Sequence, residues 1–308
     1  MIRTDSIHPT GDDDTLPVLR PGREPRGAVR PLSSFDVAGR TDQGHQRARN
    51  EDQFVVADLE RLVTIRQSSV SKHGDPPWAV GGQGLLLAVA DGMGGHPGGD
   101  VASSVAIDAL VQYATWLMPW ISGSDDRSRA VLDDFGTALR LCERRVRRVS
   151  RREGQLKEHE PGTTLTAAYI AWPSMFVIHA GDTRCYLLRQ GIIAQLTIDH
   201  TLANQLVERD VMPPEAVEQS QWSHVLCNAV GGNEQDVKPE VKRVELRRGD
   251  EILVCSDGLT RHVDDATIAR IVADADHATV ACDALVAAAN DAGGRDNITV
   301  VVAREAGE

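Results

Sequence analysis

The stretch "LLLAVADGMGGHPGGDVASS" (85–104) decides how the rest of the chain is read. Leu85 to Ala90 are continuously apolar, the pattern of a short strand buried on both faces. Asp91 follows at once, then five glycines and His96 within eight residues, and an alanine-rich helical pattern begins. A lone aspartate before glycine is usually a turn residue. At the lip of a buried strand, beside exposed backbone, it can equally be an oxygen ligand.

Outward from this stretch, the elements group. Ala102, Val105, Ala106, Ala109, Leu110, Tyr113 and Leu117 recur at helical spacing and predict an amphipathic helix over 98–118. Val131, Phe135, Ala138, Leu139, Cys142, Val146 and Val149 do the same over 127–152, with arginines from Arg140 to Arg152 on a solvated face. Upstream, "FDVAGRTDQGHQRARNEDQFVVADL" (35–59) reads as strand, polar turn, strand. The stretch 68–84 is a loop by its Gly, Pro and Ser content. Downstream come strand-like runs from "TLTAAYIAW" to "EILVCSDG", interrupted by the polar segment 199–233. Two helices follow, one capped by Asp264 or Asp265, and then the strand "NITVVVAR". Strands, two helices, many strands, two helices and a strand make an α+β order. Residues 1–33, with five prolines, an acidic triplet and no apolar periodicity, are expected to be a disordered tail before a domain at 34–305.

The net charge of −12 makes the chain a poor nucleic-acid binder, since phosphate backbones attract lysine and arginine. Five scattered cysteines without a C-x-x-C pair argue against a disulfide framework or structural zinc. No apolar h-region opens the sequence, and no apolar run approaches the ~20 residues needed to cross a bilayer. A cytoplasmic protein without membrane partner is expected.

Asp91 has company. Asp182 ends "FVIHAG", Asp257 ends "EILVCS", Asp296 precedes "NITVVV", and Glu51 and Asp52 precede "QFVVADL". Strand ends of one layer can meet at a single edge. Converging carboxylates repel unless cations neutralise them. Oxygen-only donors select hard ions, Mg²⁺ or Mn²⁺, and the carbonyl of Gly92 could add a further oxygen. His179, inside an apolar strand, is expected to be a satisfied core residue, and His200 has no ligand partner in the sequence.

Seven blocks then carry a resemblance: "RARNEDQF" (47–54), "VADGMGGHPGGDVAS" (89–103), "PGTTLTAAYI" (161–170), "HAGDTRCYLLRQG" (179–191), "LTIDHTLANQL" (196–206), "LVCSDGLT" (253–260) and "GGRDNITVVVA" (293–303). Together they resemble the bacterial form of the metal-dependent PPM (type 2C) protein serine/threonine phosphatases. The resemblance implies a four-layer α-β-β-α sandwich, two antiparallel sheets flanked by helices. It implies Asp91, Asp257 and Asp296 around one metal, and Asp91, Glu51 and the Gly92 carbonyl around a second, as Mn²⁺ or Mg²⁺. Asp182 with Asp257 would support a third, looser ion. Arg47 would grip the substrate phosphate, with Arg49 its competitor by sequence alone. Asp52, His96 and Asn297 would lie just behind the ligands. Hydroxide held between two ions would attack phosphoserine or phosphothreonine in proteins, opposing a Ser/Thr kinase, and the chain would act as a monomer. Met93 stands where animal members carry a proposed acid, so the acid is His96 or a metal-bound water. The alternative is a catalytically weak regulatory module of the same fold.

Overall fold

A computed structural model describes residues 35–59, 63–69, 84–93, 98–117, 128–152, 161–217, 219–232 and 236–305. The expected tail (1–33), most of the loop over 68–84, and His96 lie outside the described residues.

The apolar run Leu85–Ala90 lies in β4 (Gly84–Ala90), buried throughout. Its alternate residues part to opposite sides, because strand side chains repeat with period two. Leu86, Ala88 and Ala90 join one apolar cluster, and Leu85, Leu87 and Val89 join another. β4 sits inside a six-stranded antiparallel sheet. Its partners are β2 (Gln53–Leu59), β3 (Val63–Ser68), β7 (Leu165–Ala171), β8 (Ser174–Ala180) and β12 (Glu240–Glu245), in the order β12-β8-β7-β4-β2-β3.

A second, five-stranded sheet has the order β1-β14-β13-β9-β10. It is built from β1 (Phe35–Asp42), β9 (Arg184–Arg189), β10 (Ile192–Gln195), β13 (Glu251–Cys255) and β14 (Ile298–Glu305). Both central strands split their side chains as β4 does. Ile252, Val254, Val301 and Ala303 face the same cluster as Leu85 and Leu87, while Leu253, Cys255, Val300 and Val302 face away. The sheets therefore share one core between them.

Helices close the two outer faces. α1 (Gly99–Leu117) and α2 (Ser128–Arg152) cover the first sheet with Ala102, Ala106, Leu110, Leu139, Cys142 and Val146. α5 (Asp265–Asp274) and α6 (Ala278–Asp291) cover the second with Ile268, Val272, Cys282 and Leu285. Three apolar layers separate four layers of structure, so the α-β-β-α sandwich is observed. Each fully buried Leu or Ile contributes about 1.5–3 kcal/mol. Asp264 caps α5, its carboxylate accepting the Thr267 amide at 2.7 Å.

The remaining elements are short. They are β5 (Gly92–Met93), β6 (Gly162–Thr163) and β11 (Val230–Gly231), which pair as a small third sheet, α3 (Leu202–Glu208), α4 (Asp257–Thr260) and a single 3₁₀ turn (Pro214–Ala216). On α2, Arg140, Arg144 and Arg148 are exposed, as a solvated face requires, whereas Arg147 pairs with Glu143 at 3.0 Å. No helix among the described residues is long and apolar enough to cross a membrane.

Candidate metal centre

Strand register brings the acids to one edge. Gln53 pairs with Ala90, so the start of β2, after Glu51 and Asp52, meets the end of β4, before Asp91. Ala180 ends β8 opposite Leu165, two residues before Asp182. Cys255 ends β13 between Arg184 and Val300, which places Asp257 beside the turns that carry Asp182 and Asp296. Antiparallel pairing thus converts five distant segments into neighbours.

The backbone of this edge is fixed tightly. Thr164 Oγ1 accepts the Asp91 amide at 3.1 Å, the Thr164 amide donates to the Asp91 carbonyl at 2.9 Å, and the Thr163 hydroxyl donates to the same carbonyl at 2.8 Å. The Gly-Thr-Thr step is therefore a clamp on Asp91. Two glycines are required by close approach. A Cβ on Gly92 would stand 2.3 Å from the Gly99 carbonyl oxygen, and one on Gly258 would stand 1.9 Å from the Asn297 carbonyl oxygen. Asn297 ties three segments together. Its Oδ1 accepts the Glu51 amide at 2.8 Å, and its Nδ2 donates to the carbonyls of Gln43 and Arg49, each at 2.9 Å.

The electrostatics are unbalanced. Asp52 is 1% exposed, and among the described residues neither of its carboxylate oxygens has a partner at hydrogen-bonding geometry. The nearby hydroxyls of Ser256 and Thr299 favour its ionised form, but burial dominates and pushes its pKa up to about 7. Asp257 is also buried, with Oδ1 unpartnered. Burial raises the pKa of Asp91 well above the usual carboxylate range, and the charges of Asp52, Asp257, Asp182 and Asp296 raise it further. Asp182 is raised by burial and then by Asp257, against the pull of Arg261. Burial comes first for Asp257 too, opposed by Arg261. Glu51 is raised by burial and by Asp100. These groups lie close enough to feel one another, and with Asp52, Asp182 and Asp257 buried and Glu51, Asp91 and Asp296 partly buried, water screens them less than in bulk.

Among the described residues, two guanidiniums form ion pairs with this set. Arg47, about half exposed, pairs with Asp296 at 2.6 Å. Arg261 pairs with Asp257 and stands 3.6 Å from Asp182 and 3.4 Å from Asp296. Against Glu51, Asp52, Asp91, Asp182, Asp257 and Asp296, two arginines leave a formal excess of four negative charges. The donor set is all oxygen and partly orphaned, and a pair of hard divalent cations fits it.

The structure thus gathers Arg47, Glu51, Asp52, Asp91, Gly92, Asp182, Asp257, Asp296 and Asn297 at one edge. Arg49 enters through its backbone carbonyl and through the charge it presents to Glu51. Sequence reasoning missed Arg261, although it follows Asp257 by one helical turn, the spacing at which opposite charges meet. It also missed His224, whose pKa is lowered by burial and then by Arg261, with Asp257 opposing.

A second titratable cluster, also unforeseen, lies nearby. Ligand atoms of His179, His200 and Glu240 fall within 4.8 Å of one another. Their hydrogen bonds are already made. His179 Nδ1 meets the Thr166 hydroxyl at 2.8 Å, and Nε2 meets the Ile198 carbonyl at 3.0 Å. His200 Nδ1 accepts the Gly181 amide at 3.1 Å, and Nε2 faces Glu240 at 3.5 Å.

Comparison with known proteins completes the picture. The family model described as "Protein phosphatase 2C" matches residues 72–292. Serine/threonine protein phosphatase PstP of Mycobacterium tuberculosis is 34% identical over 266 residues, 86% of this chain, and the chain spans 44% of its length. Serine/threonine phosphatase stp of Listeria monocytogenes is 30% identical over 265 residues, covering 85% of this chain and 93% of its own. The crystal structure of the catalytic domain of PstP in complex with two manganese ions superposes with a TM-score of 0.65 and 33% identity, over 88% of this chain and 97% of that one.

Proposed function

The chain belongs to the protein phosphatase 2C family, and from that premise we propose that its 34–305 domain hydrolyses phosphoserine and phosphothreonine in proteins. The observation that carries the proposal is the formal excess of four negative charges at one partly buried edge, with both oxygens of Asp52 and one of Asp257 left without a hydrogen-bond partner among the described residues.

In this reading Asp91, Asp257 and Asp296 hold one Mn²⁺ or Mg²⁺, and Asp91, Glu51 and the Gly92 carbonyl hold a second. When bound, the ions supply an activated water and positive charge against the phosphoryl oxygens. The chain's own residues do the rest. Thr163 and Thr164 hold the Asp91 backbone, so its carboxylate is presented without reorganisation. Asn297 locks Glu51 to the turn that carries Arg47. Arg47, always charged and half exposed, offers a planar pair of N–H groups to two phosphate oxygens. Burial keeps the thiols from acting as nucleophiles: those of Cys142, Cys185 and Cys282 are pushed up to about 12. A cytoplasmic phosphoprotein, the target of a Ser/Thr kinase, is the natural substrate, and the chain works as a monomer.

The test is phosphate release from a phosphothreonine peptide with Mn²⁺, native chain against Asp257→Asn. Release by the native chain alone supports the proposal. Equal rates in the two proteins contradict it.

A further inference from the structure

The family resemblance places a third, looser ion between Asp182 and Asp257, and the residues of this chain do not fit one there. Arg261 occupies the position. Its guanidinium pairs with Asp257, lies 3.6 Å from Asp182 Oδ2, and reaches Asp296 Oδ2 at 3.4 Å through its other terminal nitrogen. We propose that Arg261 is a built-in cation that fills the third position, so that this chain takes two divalent ions and Asp182 serves as a counter-ion to arginine. The proposal rests on the metal-dependent reading given above.

Three physical points support it. A guanidinium stays protonated at any working pH, so the charge is permanent. Its fork of N–H donors can serve several carboxylate oxygens at once, where an ammonium would act as a point charge. A third divalent ion would have to sit against this fixed positive charge at a partly buried edge, or displace a side chain only 31% exposed from three acidic partners. Charge balance agrees. With Arg47 and Arg261 counted and all six carboxylates ionised, two divalent cations balance the set, and a third would overshoot. The two arginines also differ. Arg47 holds one carboxylate from a half-exposed position, free to turn to substrate, whereas Arg261 is held by three.

The experiment is equilibrium dialysis of the full chain against Mn²⁺ alone, followed by metal analysis. Thermal unfolding of the same samples establishes that each is folded. The native chain is expected to hold two ions. Arg261→Ala and the longer, neutral Arg261→Gln are each expected to hold three, the third lost first as free Mn²⁺ is lowered. Adding Asp182→Asn to Arg261→Ala is expected to return the count to two. Three ions on the native chain, or two on both Arg261 variants, overturns the proposal. A native chain that holds none overturns the metal-dependent reading, and the proposal falls with it.

Discussion

Two clusters of titratable side chains flank the Gly181–Asp182 turn, and they handle polarity in opposite ways. In the cluster of His179, His200 and Glu240 both ring nitrogens of each histidine have partners, and the two rings stack with centroids 4.6 Å apart. At the acidic edge, among the described residues, Asp52 has no hydrogen-bond partner for either oxygen and Asp257 lacks one for Oδ1. Proximity alone would nominate the histidines as the ligand set. Hydrogen-bond accounting reverses that choice. Buried polar groups in native proteins are nearly always paired, so orphaned oxygens mark where something else must arrive. The paired cluster instead holds up the turn: the His200 amide donates to the Gly181 carbonyl at 2.7 Å, while its ring accepts the Gly181 amide.

This contrast can be broken by substitution. Asp257→Asn keeps the shape of the acidic edge and removes one charge. It is expected to lower kcat/KM on a phosphothreonine peptide by at least about 100-fold, in the range seen when a group that stabilises developing charge is removed. A fall of less than tenfold would place the chemistry elsewhere. Asn297→Ala releases the Glu51 amide and the carbonyls of Gln43 and Arg49. It is expected to cost about 10–100-fold in Mn²⁺ affinity or activity, the usual effect of losing a residue that orients ligands. Titration of activity against Mn²⁺ reads this directly.

The paired cluster is expected to answer in stability. His179→Gln loses hydrogen bonds to Thr166 and Ile198, and chemical denaturation is expected to register a loss of about 1–3 kcal/mol. Its Mn²⁺ count is expected to equal that of the native chain. A lost ion would make the histidines ligands after all. The pH dependence of stability sharpens the contrast. Burial lowers the His179 pKa to about 3 from the ordinary 6.5, and the neighbouring His200 lowers it further while Glu240 opposes. The unfolded chain therefore binds more protons than the folded one between these values. The resulting stability is fully present above about pH 6.5 and is lost as pH falls toward 3, at no more than about 1.4 kcal/mol per pH unit. Denaturation curves from pH 7 to 4 are expected to be flatter for His179→Gln than for the native chain.

Much of this was legible in the sequence. The run Leu85–Ala90 announces a strand buried on both sides, and the structure sends its alternate residues into two cores. The acids that end "LLLAVA" and "EILVCS", or precede "NITVVV", are visible by position, because strand ends are where antiparallel register gathers residues. The two short pairings that join β5, β6 and β11 were not visible, since two-residue strands have no periodicity. Arg261 was missed because its meaning lies in contacts with Asp182 and Asp296, distant in sequence. His200 and Glu240 are 40 positions apart and meet only because β12 adds to β8, pairing Glu240 with His179. Pattern reading finds what repeats along the chain, and tertiary contact decides what meets across it.

The most direct measurement is anomalous diffraction at the manganese edge from crystals grown with Mn²⁺. Peaks are expected among Glu51, Asp91, Asp257 and Asp296, with none at His179, His200 and Glu240. Density at the histidine cluster with the acidic edge empty would contradict the account.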